Sequence, residues 1–424
     1  MVLWGPEQCK LLPTPACYNR SMLKSLLTLL VASTVWGAGA KPKVRAITAF
    51  IDIDAAAYSS QIGDAVRFLT AAREAYRGAG FEVETIRIAT QPFPRYTTGM
   101  TRADAVAFLL KLDELASKLG FSGSIGPAML NDADDPAPVA LLAEVLPRVK
   151  LNASLVVAAE DGIHWNAVRQ SARLIQSLSE HSPHGQANFN FAAIAMLKPY
   201  GPFFPGAWHL GGGRTFSVGL ESANVVADVL AGERDPGRAE KALVAALAQP
   251  LSAAETIAIG VAKSSGWTYA GIDPTPAPLG EVSIGRAMES FTGAPFGTSG
   301  TMTAAAIITR AVQAAPVKRV GYSGLMVPVL EDAVLARRWA EGAYNIDSLL
   351  AYSAVCAGGL DTVPLPGDTG EDRLARIVGD VATLAFKWNK PLAARLLPVP
   401  GKKAGDRTEF EDARMANTIL QGVK

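Results

Sequence analysis

"SLVVAA" (Ser154–Ala159), followed closely by "WNAVRQSARLIQSL" (Trp165–Leu178), is the stretch of the chain from which the fold class follows. The first segment is short, apolar and bounded by polar residues, which predicts a buried strand. The second segment repeats apolar residues at helical spacing and predicts a helix. Because parallel sheets are built from strands that alternate with helices, this stretch predicts an α/β protein.

The same alternation continues over the rest of the chain after Lys43. Strands are predicted at 44–53, 83–88, 154–159, 190–196, 215–220, 267–272, 320–328, 361–365 and 396–398. Helices are predicted at 61–78, 103–119, 139–149, 165–178, 239–263, 303–314, 331–341, 346–355 and 372–388. The strand segments, about ten in all, exceed the eight of a simple (β/α)₈ barrel. No linker, low-complexity stretch or charge block follows residue 41, so 41–424 is predicted to form a single α/β barrel domain.

Residues 1–40 have the pattern of an upstream extension followed by a signal peptide. Lys24 precedes an apolar run, 26–35, and Gly37-Ala38-Gly39-Ala40 resembles a cleavage site. The run is shorter than the roughly 20 residues that span a bilayer. The pattern predicts cleavage near Ala40, a secreted or periplasmic protein, and no membrane span in the mature chain. An uncleaved N-terminal anchor is the alternative.

Composition narrows the class of partner and the role of cysteine. The formal net charge is +1 and 49% of the residues are hydrophobic, which predicts a large core and no nucleic-acid partner. Cleavage near Ala40 would remove Cys9 and Cys17 and leave Cys356 alone. An internal disulfide would then be excluded. Cys356 is a buried thiol, an intermolecular one or a reactive one, and its position after a predicted helix favours the first.

Carboxylates follow several predicted strands. Glu160 and Asp161 come after 154–159, Glu221 after 215–220, and Asp273 after 267–272. The carboxyl ends of strands host the active sites of α/β folds, and crowded carboxylates suit general acid/base catalysis because repulsion raises one pKa. Taken singly, each acid is better explained as a loop residue that caps the next helix, and only the set together favours a site.

The segment 271–308 contains further candidates. Glu281 and Glu289 would share a face if one helix held both. Thr298, Ser299 and Thr301 precede a predicted helix, whose free N–H groups could bind an anionic substrate group. Ordinary N-capping by these hydroxyls is the alternative.

Two other groups suggest a cation and a binding wall. Glu160, Asp161 and His164 could hold Mg²⁺ or Ca²⁺, so a divalent cation is left open as a cofactor. The aromatic and proline-rich "PFFPGAWH" (Pro202–His209) is interpreted as a pocket wall, a lid or a packed loop. Its last residue, His209, is a predicted substrate-binding group.

Several segments together resemble the domain of unknown function 711 family. They are "VRAITAFID", "FNFAAIAM", "FSVGLESAN", "GIDPTPAP", "SIGRAMESFTGAPFGTSGTM", "GYSGLMVPVLED", "CAGGLDTVPLPGD" and "PVPGKKAGDRTEFED", and they cover essentially residues 42–415. The resemblance implies a fold like pyruvate formate-lyase and the glycyl radical enzymes. That fold is a ten-stranded α/β barrel made from two parallel five-stranded halves set antiparallel. The signal-like N-terminus departs from family members, which look mostly cytoplasmic.

A glycyl radical is not expected, although the implied fold is shared with radical enzymes. Those enzymes carry Arg-Val-x-Gly-Tyr near the C-terminus, whereas Arg319-Val320-Gly321-Tyr322 has the wrong spacing and lies far from the end. Fold alone does not assign a reaction.

The resulting hypothesis is non-radical acid/base chemistry, of hydrolase, lyase or isomerase type, on a small polar or anionic molecule in the barrel interior. Its predicted catalytic residues are Asp273, Glu281, Glu289, Cys356, Asp361 and Glu221. An exported small-molecule binding protein without catalysis is the main alternative, and a structural protein is the third. Whether the chain is an enzyme at all, its substrate and whether it forms a homo-oligomer are left open.

Overall fold

A computed structural model describes residues 41–423, so the predicted upstream extension and signal peptide lie outside the described part of the chain. The strands are β1 Lys43–Ile51, β2 Val83–Thr90, β3 Ser122–Pro127, β4 Asn152–Ala159, β5 Gly162–Ile163, β6 Phe191–Ala195, β7 Thr215–Glu221, β8 Thr268–Asp273, β9 Gly358–Pro366 and β10 Leu392–Val399. The α-helices are α1 Tyr58–Gly78, α2 Pro94–Thr97, α3 Arg102–Leu119, α4 Ala137–Val145, α5 Trp165–His181, α6 Ala223–Ala231, α7 Pro236–Ser265, α8 Ile284–Thr292, α9 Thr301–Gln313, α10 Ala333–Ala340, α11 Ile346–Ser353 and α12 Glu371–Trp388.

The strands form one mixed sheet in the order β8-β7-β1-β2-β3-β4-β6-β10-β9, with the short β5 paired to β4. Strands β1, β2, β3, β4 and β6 are parallel to one another and are called the first set. Strands β7 and β8 flank it on one side and β10 and β9 on the other; these four are the second set, and they run antiparallel to the first. Two opposed parallel sets agree with the predicted α/β class.

The strand path does not close, because β8 and β9 are both ends of the order. The strand predicted at 320–328 is wrong: the segment is irregular, with a left-handed backbone at Gly321 (φ 70°) and Ser323 (φ 46°). The segment nevertheless contacts both free edges. Val320 N–H donates to the Ile272 carbonyl at 3.0 Å, and Val329 N–H donates to the Asp361 carbonyl at 3.0 Å.

The sequence prediction also missed an inner strand and three helices. Strand β3 reads "SGSIGP", a composition depleted in ordinary strands. Its residues are small because a loop packs against them: Ser124 Oγ donates to the Ala207 carbonyl at 3.1 Å. The three unpredicted helices are the short α2 and helices α6 and α8.

That loop, residues 197–210, connects the two sets of strands and is called the interior loop. It is anchored on β1 by Thr48 Oγ1, which donates to the Pro202 carbonyl at 3.0 Å. Most of its residues are buried, including Phe203 and Trp208. The "PFFPGAWH" segment is therefore packed between the strands and the segment around Tyr322, where it forms a wall.

Among the described residues, α7 is the one helix long and apolar enough to cross a membrane by length and composition. Leu243, Leu247 and Leu251 are buried at a spacing of four, so the helix presents one apolar stripe to the core.

Candidate active site

A cavity of about 810 Å³ lies against the amino ends of the first set. Arg45, Glu84, Ser122 and Asn152 line it from within the first three residues of β1, β2, β3 and β4. Because the second set is antiparallel, its carboxyl ends lie at the same place, and Glu221 at the end of β7 stands opposite Lys43 at the start of β1. The cavity thus receives side chains from both sets.

The spacing of its charged residues follows from strand geometry. Successive side chains of a strand point to opposite faces, so Thr85 and Arg87 on β2, and Ala393 and Arg395 on β10, face the cavity in pairs two residues apart. Phe203 and Phe204 of the interior loop and Tyr322 complete an aromatic part of the wall.

Arg45 is the centre of a first ion cluster. Its Nη1 lies 2.7 Å from Glu221 Oε2 and 3.4 Å from Glu84 Oε2. Burial raises the pKa of Glu221, and Arg45 opposes that rise. One arginine therefore serves two carboxylates.

Arg395 is the centre of a second cluster. Its Nη2 lies 2.6 Å from Glu331 Oε2, and its Nε lies 3.1 Å from Asp361 Oδ1. The Nε contact is an ion pair without hydrogen-bond alignment. Burial raises the pKa of Asp361 to about 6, against the attraction of Arg395 and with repulsion from Glu331. A carboxyl with this pKa exchanges its proton readily near neutral pH, which suits a general acid or base.

Two further arginines border the cavity. They are Arg414 and Arg87. Arg414 pairs with Asp412 at 2.6 Å, and its guanidinium carbon, like that of Arg395, lies 4.5 Å from the ring centre of Phe189. Arg87 lies over the Phe204 ring at 5.0 Å. No carboxylate in the described chain is within 4.0 Å of Arg87, which distinguishes it from the other three.

Of the residues predicted as catalytic, Asp361 lines the cavity. Glu221 is not a lining residue but forms an ion pair with Arg45, which is. Asp273 is fully buried beside the cavity and accepts four hydrogen bonds: from Thr275 N–H and Oγ1 and from the N–H groups of Tyr322 and Ser323. Burial raises the pKa of Asp273 to about 6. Its contacts hold the turn that carries Tyr322.

Ala277, Pro278 and Leu279 line the cavity, but the other predicted site residues of 271–308 do not. Glu281 precedes α8, so the predicted shared helical face is wrong; it pairs with Arg286, whereas Glu289 pairs with Arg338 at 2.6 Å. None of the three hydroxyls caps α9, whose N-cap is Gly300. Thr298 Oγ1 donates to the Pro295 carbonyl, Thr301 Oγ1 accepts from Gly297 N–H, and Ser299 is exposed.

Cys356 and His209 are both buried outside the cavity lining. Burial raises the pKa of the Cys356 thiol to about 11. His209 Nε2 lies 3.1 Å from the Ile51 carbonyl, and Nδ1 accepts from Gly211 N–H. Burial lowers the pKa of His209. Cys356 therefore does not face the same space as Asp361.

The predicted metal ligands lie beyond β4, at the opposite end of the sheet. Glu160 and Asp161 are largely exposed, and His164 Nε2 lies 3.0 Å from Asp161 Oδ1 while its Nδ1 lies 3.0 Å from the Val156 carbonyl. Across 41–423 no group of three or more His, Cys, Asp or Glu side chains could hold a metal ion.

Sequence reasoning missed most of the cavity: Arg45, Glu84, Arg87, Tyr322, Glu331, Arg395, Asp412 and Arg414. The available signal was a charged or polar residue at alternate positions of a strand, as in Lys43 and Arg45 of β1 or Thr85 and Arg87 of β2. Such alternation ordinarily indicates a solvent-facing side, and a large polar cavity has the same pattern.

These features define a mixed α/β protein with a polar, arginine-rich cavity between two opposed sets of strands. The chain belongs to the family described as uncharacterised ACR (DUF711), whose model matches residues 38–412. It is 33% identical over 360 residues to a UPF0210 protein of Pyrobaculum arsenaticum, covering 80% of this chain and 79% of that one. It is 30% identical over 368 residues to a UPF0210 protein of Carboxydothermus hydrogenoformans, covering 81% and 80%.

Proposed function

We propose that this chain is an enzyme that performs non-radical acid/base chemistry on a small polar or anionic molecule in the cavity. The observation that carries the proposal is Asp361, a carboxyl with a pKa of about 6 that lines a cavity large enough for a metabolite. Asp361 would accept or deliver the proton. A hydrolase, lyase or isomerase step requires such a group.

Neighbouring groups fit distinct parts in that reaction. Tyr322 lines the same cavity, and burial raises its pKa well above the usual value, so its hydroxyl would stay protonated and donate a hydrogen bond to developing charge. Arg395 would hold Asp361 in place and moderate its pKa. Asp273 would act at one remove by fixing the backbone of Tyr322.

The finer fold expectation belongs to the same proposal. The irregular segment 318–329 bonds to Ile272 on one free edge and to Asp361 on the other. We propose that it takes the place of a tenth barrel strand in a pyruvate formate-lyase-like barrel. The cavity would then be the barrel interior.

Time-resolved proton NMR of the full chain with a mixture of small metabolites tests the chemistry. We expect the wild type to convert at least one compound, and Asp361→Asn to lower that rate by about 10²-fold or more. Asp64→Asn, at an exposed pair with Arg67, is the matched control and should keep the rate. Full turnover by Asp361→Asn would contradict the proposal, whereas a compound that binds without conversion would support the exported binding protein instead.

A further inference from the structure

Arg87 is one of the charged cavity residues to which the proposed chemistry gives no role. Within the described chain it has no carboxylate partner, although Arg45, Arg395 and Arg414 each have one within 2.7 Å. Arg87 is partly buried, so it has lost part of its water and gained no counter-charge in return. Such a group is a natural point of attachment for an anion.

The surroundings fix the direction of the Arg87 guanidinium. Nε donates to Thr85 Oγ1 at 3.1 Å, and the group lies over the Phe204 ring at 5.0 Å. With Nε engaged, the two terminal nitrogens have no hydrogen-bond partner among residues 41–423. A guanidinium presents parallel N–H donors that match the two oxygens of a carboxylate.

The electrostatic environment also favours an added negative charge at this point. Burial and, to a smaller extent, the neighbouring cations Arg45 and Arg414 lower the pKa of Arg87 to about 9, although Glu331 and Glu84 act in the opposite direction. The group is still protonated at neutral pH. A bound anion would compensate both the burial and the repulsion.

The rest of the cavity limits how much negative charge fits. Arg45 serves Glu221 and Glu84, and Arg395 serves Glu331 and Asp361, so each of these clusters has one carboxylate more than it has arginines. Lys150 also lines the cavity without a carboxylate partner among the described residues, but it is exposed and keeps its water. A single charge therefore matches Arg87, whereas a doubly charged phosphate would face the spare carboxylates. The spare carboxylates accept hydrogen bonds, so they suit a hydroxyl or ammonium donor on the same ligand.

We infer that the substrate of this cavity is a small monocarboxylate bearing a hydroxyl or amino group, whose carboxylate binds the guanidinium of Arg87. This inference rests on the proposed function for the identity of the site. It names the substrate class. It also assigns anion binding to Arg87 on β2 instead of to the hydroxyl residues at the start of α9.

The test measures binding of glycolate to the full chain by ligand-observed NMR titration, with glycolamide and inorganic phosphate as comparison ligands. We expect wild type to bind glycolate at least tenfold more tightly than glycolamide and more tightly than phosphate. Arg87→Met should weaken glycolate binding at least tenfold, and Arg87→Lys should restore part of it. Arg173→Met, at an exposed pair with Glu371, is the matched control and should bind like wild type.

Three results would overturn the inference: equal binding of glycolate and glycolamide, undiminished binding by Arg87→Met with an unchanged near-ultraviolet circular dichroism spectrum, or no glycolate binding up to about 50 mM. Tighter, Arg87-dependent binding of phosphate would overturn the single-charge argument. The assay requires no turnover, so these failures leave the Asp361 chemistry standing. A carboxylate that binds through Arg87 and is never converted would overturn only the chemistry.

Discussion

The two ends of the sheet place similar residues in opposite environments. At the amino ends of the first set, Arg395 pairs with Glu331 and Asp361, with side chains 7%, 12% and 14% exposed. At the other end, Lys198 pairs with Glu160 at 3.8 Å, with side chains 78% and 84% exposed. A buried pair replaces hydration by fixed partners, whereas an exposed pair keeps its water. The chemical properties of a charged group therefore depend on its burial and its partners, and not on its position after a strand.

The largest expected effect is the loss of stability when the buried ion pairs of Arg395 are removed. Arg395→Met removes the cation and leaves Glu331 and Asp361 close together without compensation. We expect the free energy of unfolding at neutral pH to fall by about 3–5 kcal/mol, as when one partner of a buried pair is lost. Urea denaturation followed by circular dichroism measures it. A loss below about 1 kcal/mol would show that water reaches these carboxylates.

A smaller effect is the pH dependence of the unfolding free energy that arises from Asp361 at the same end of the sheet. The pKa of Asp361 in the folded chain, about 6, lies above its ordinary value of 3.8, so the native state favours the protonated form. The resulting stabilisation is complete below about pH 4 and disappears as the pH rises through 6, at a cost of about 3 kcal/mol. Unfolding free energies of wild type and Asp361→Asn between pH 4 and 7 check this, because the difference between them isolates the carboxyl. A difference independent of pH would contradict it.

The smallest change in unfolding free energy is expected at the exposed end of the sheet. Lys198→Met breaks the pair with Glu160, yet both partners are solvated with or without it. We expect the unfolding free energy to change by less than about 0.5 kcal/mol. The same urea titration compares it with Arg395→Met. Similar losses in the two variants would remove the distinction between the ends.

Much of the fold could be predicted from the sequence because buried apolar residues recur at regular spacings in strands and helices. The strand at 154–159 and the helix at 165–178 are at the predicted positions, and the structure extends that helix only to His181. The segment 320–328 was mistaken for a strand because it is apolar, whereas the backbone of Gly321 and Ser323 bends it out of a regular strand. Close packing of backbone against backbone leaves no signal in apolar periodicity.

The candidate site was harder to predict for a different reason. The rule that active-site residues follow strands assumes that all strands point the same way. Here Glu221 and Glu160 both follow strands, β7 and β4, but these strands run in opposite directions. The two acids therefore lie at opposite ends of the sheet. Only pairing between strands far apart in the chain separates them, and one sequence does not reveal that pairing.

The interior loop has a consequence for the order in which the chain assembles. Its Pro202 and Ala207 carbonyls are held by Thr48 and Ser124, which precede it in the chain, whereas Gly201 lies against Gly321, which is made more than a hundred residues later. During synthesis the loop can settle on β1 and β3 before its cover exists. The C-terminal third then closes over a segment already in place. A circular permutant that begins synthesis within this third would have to insert the loop afterwards, and should reach the native state more slowly during synthesis.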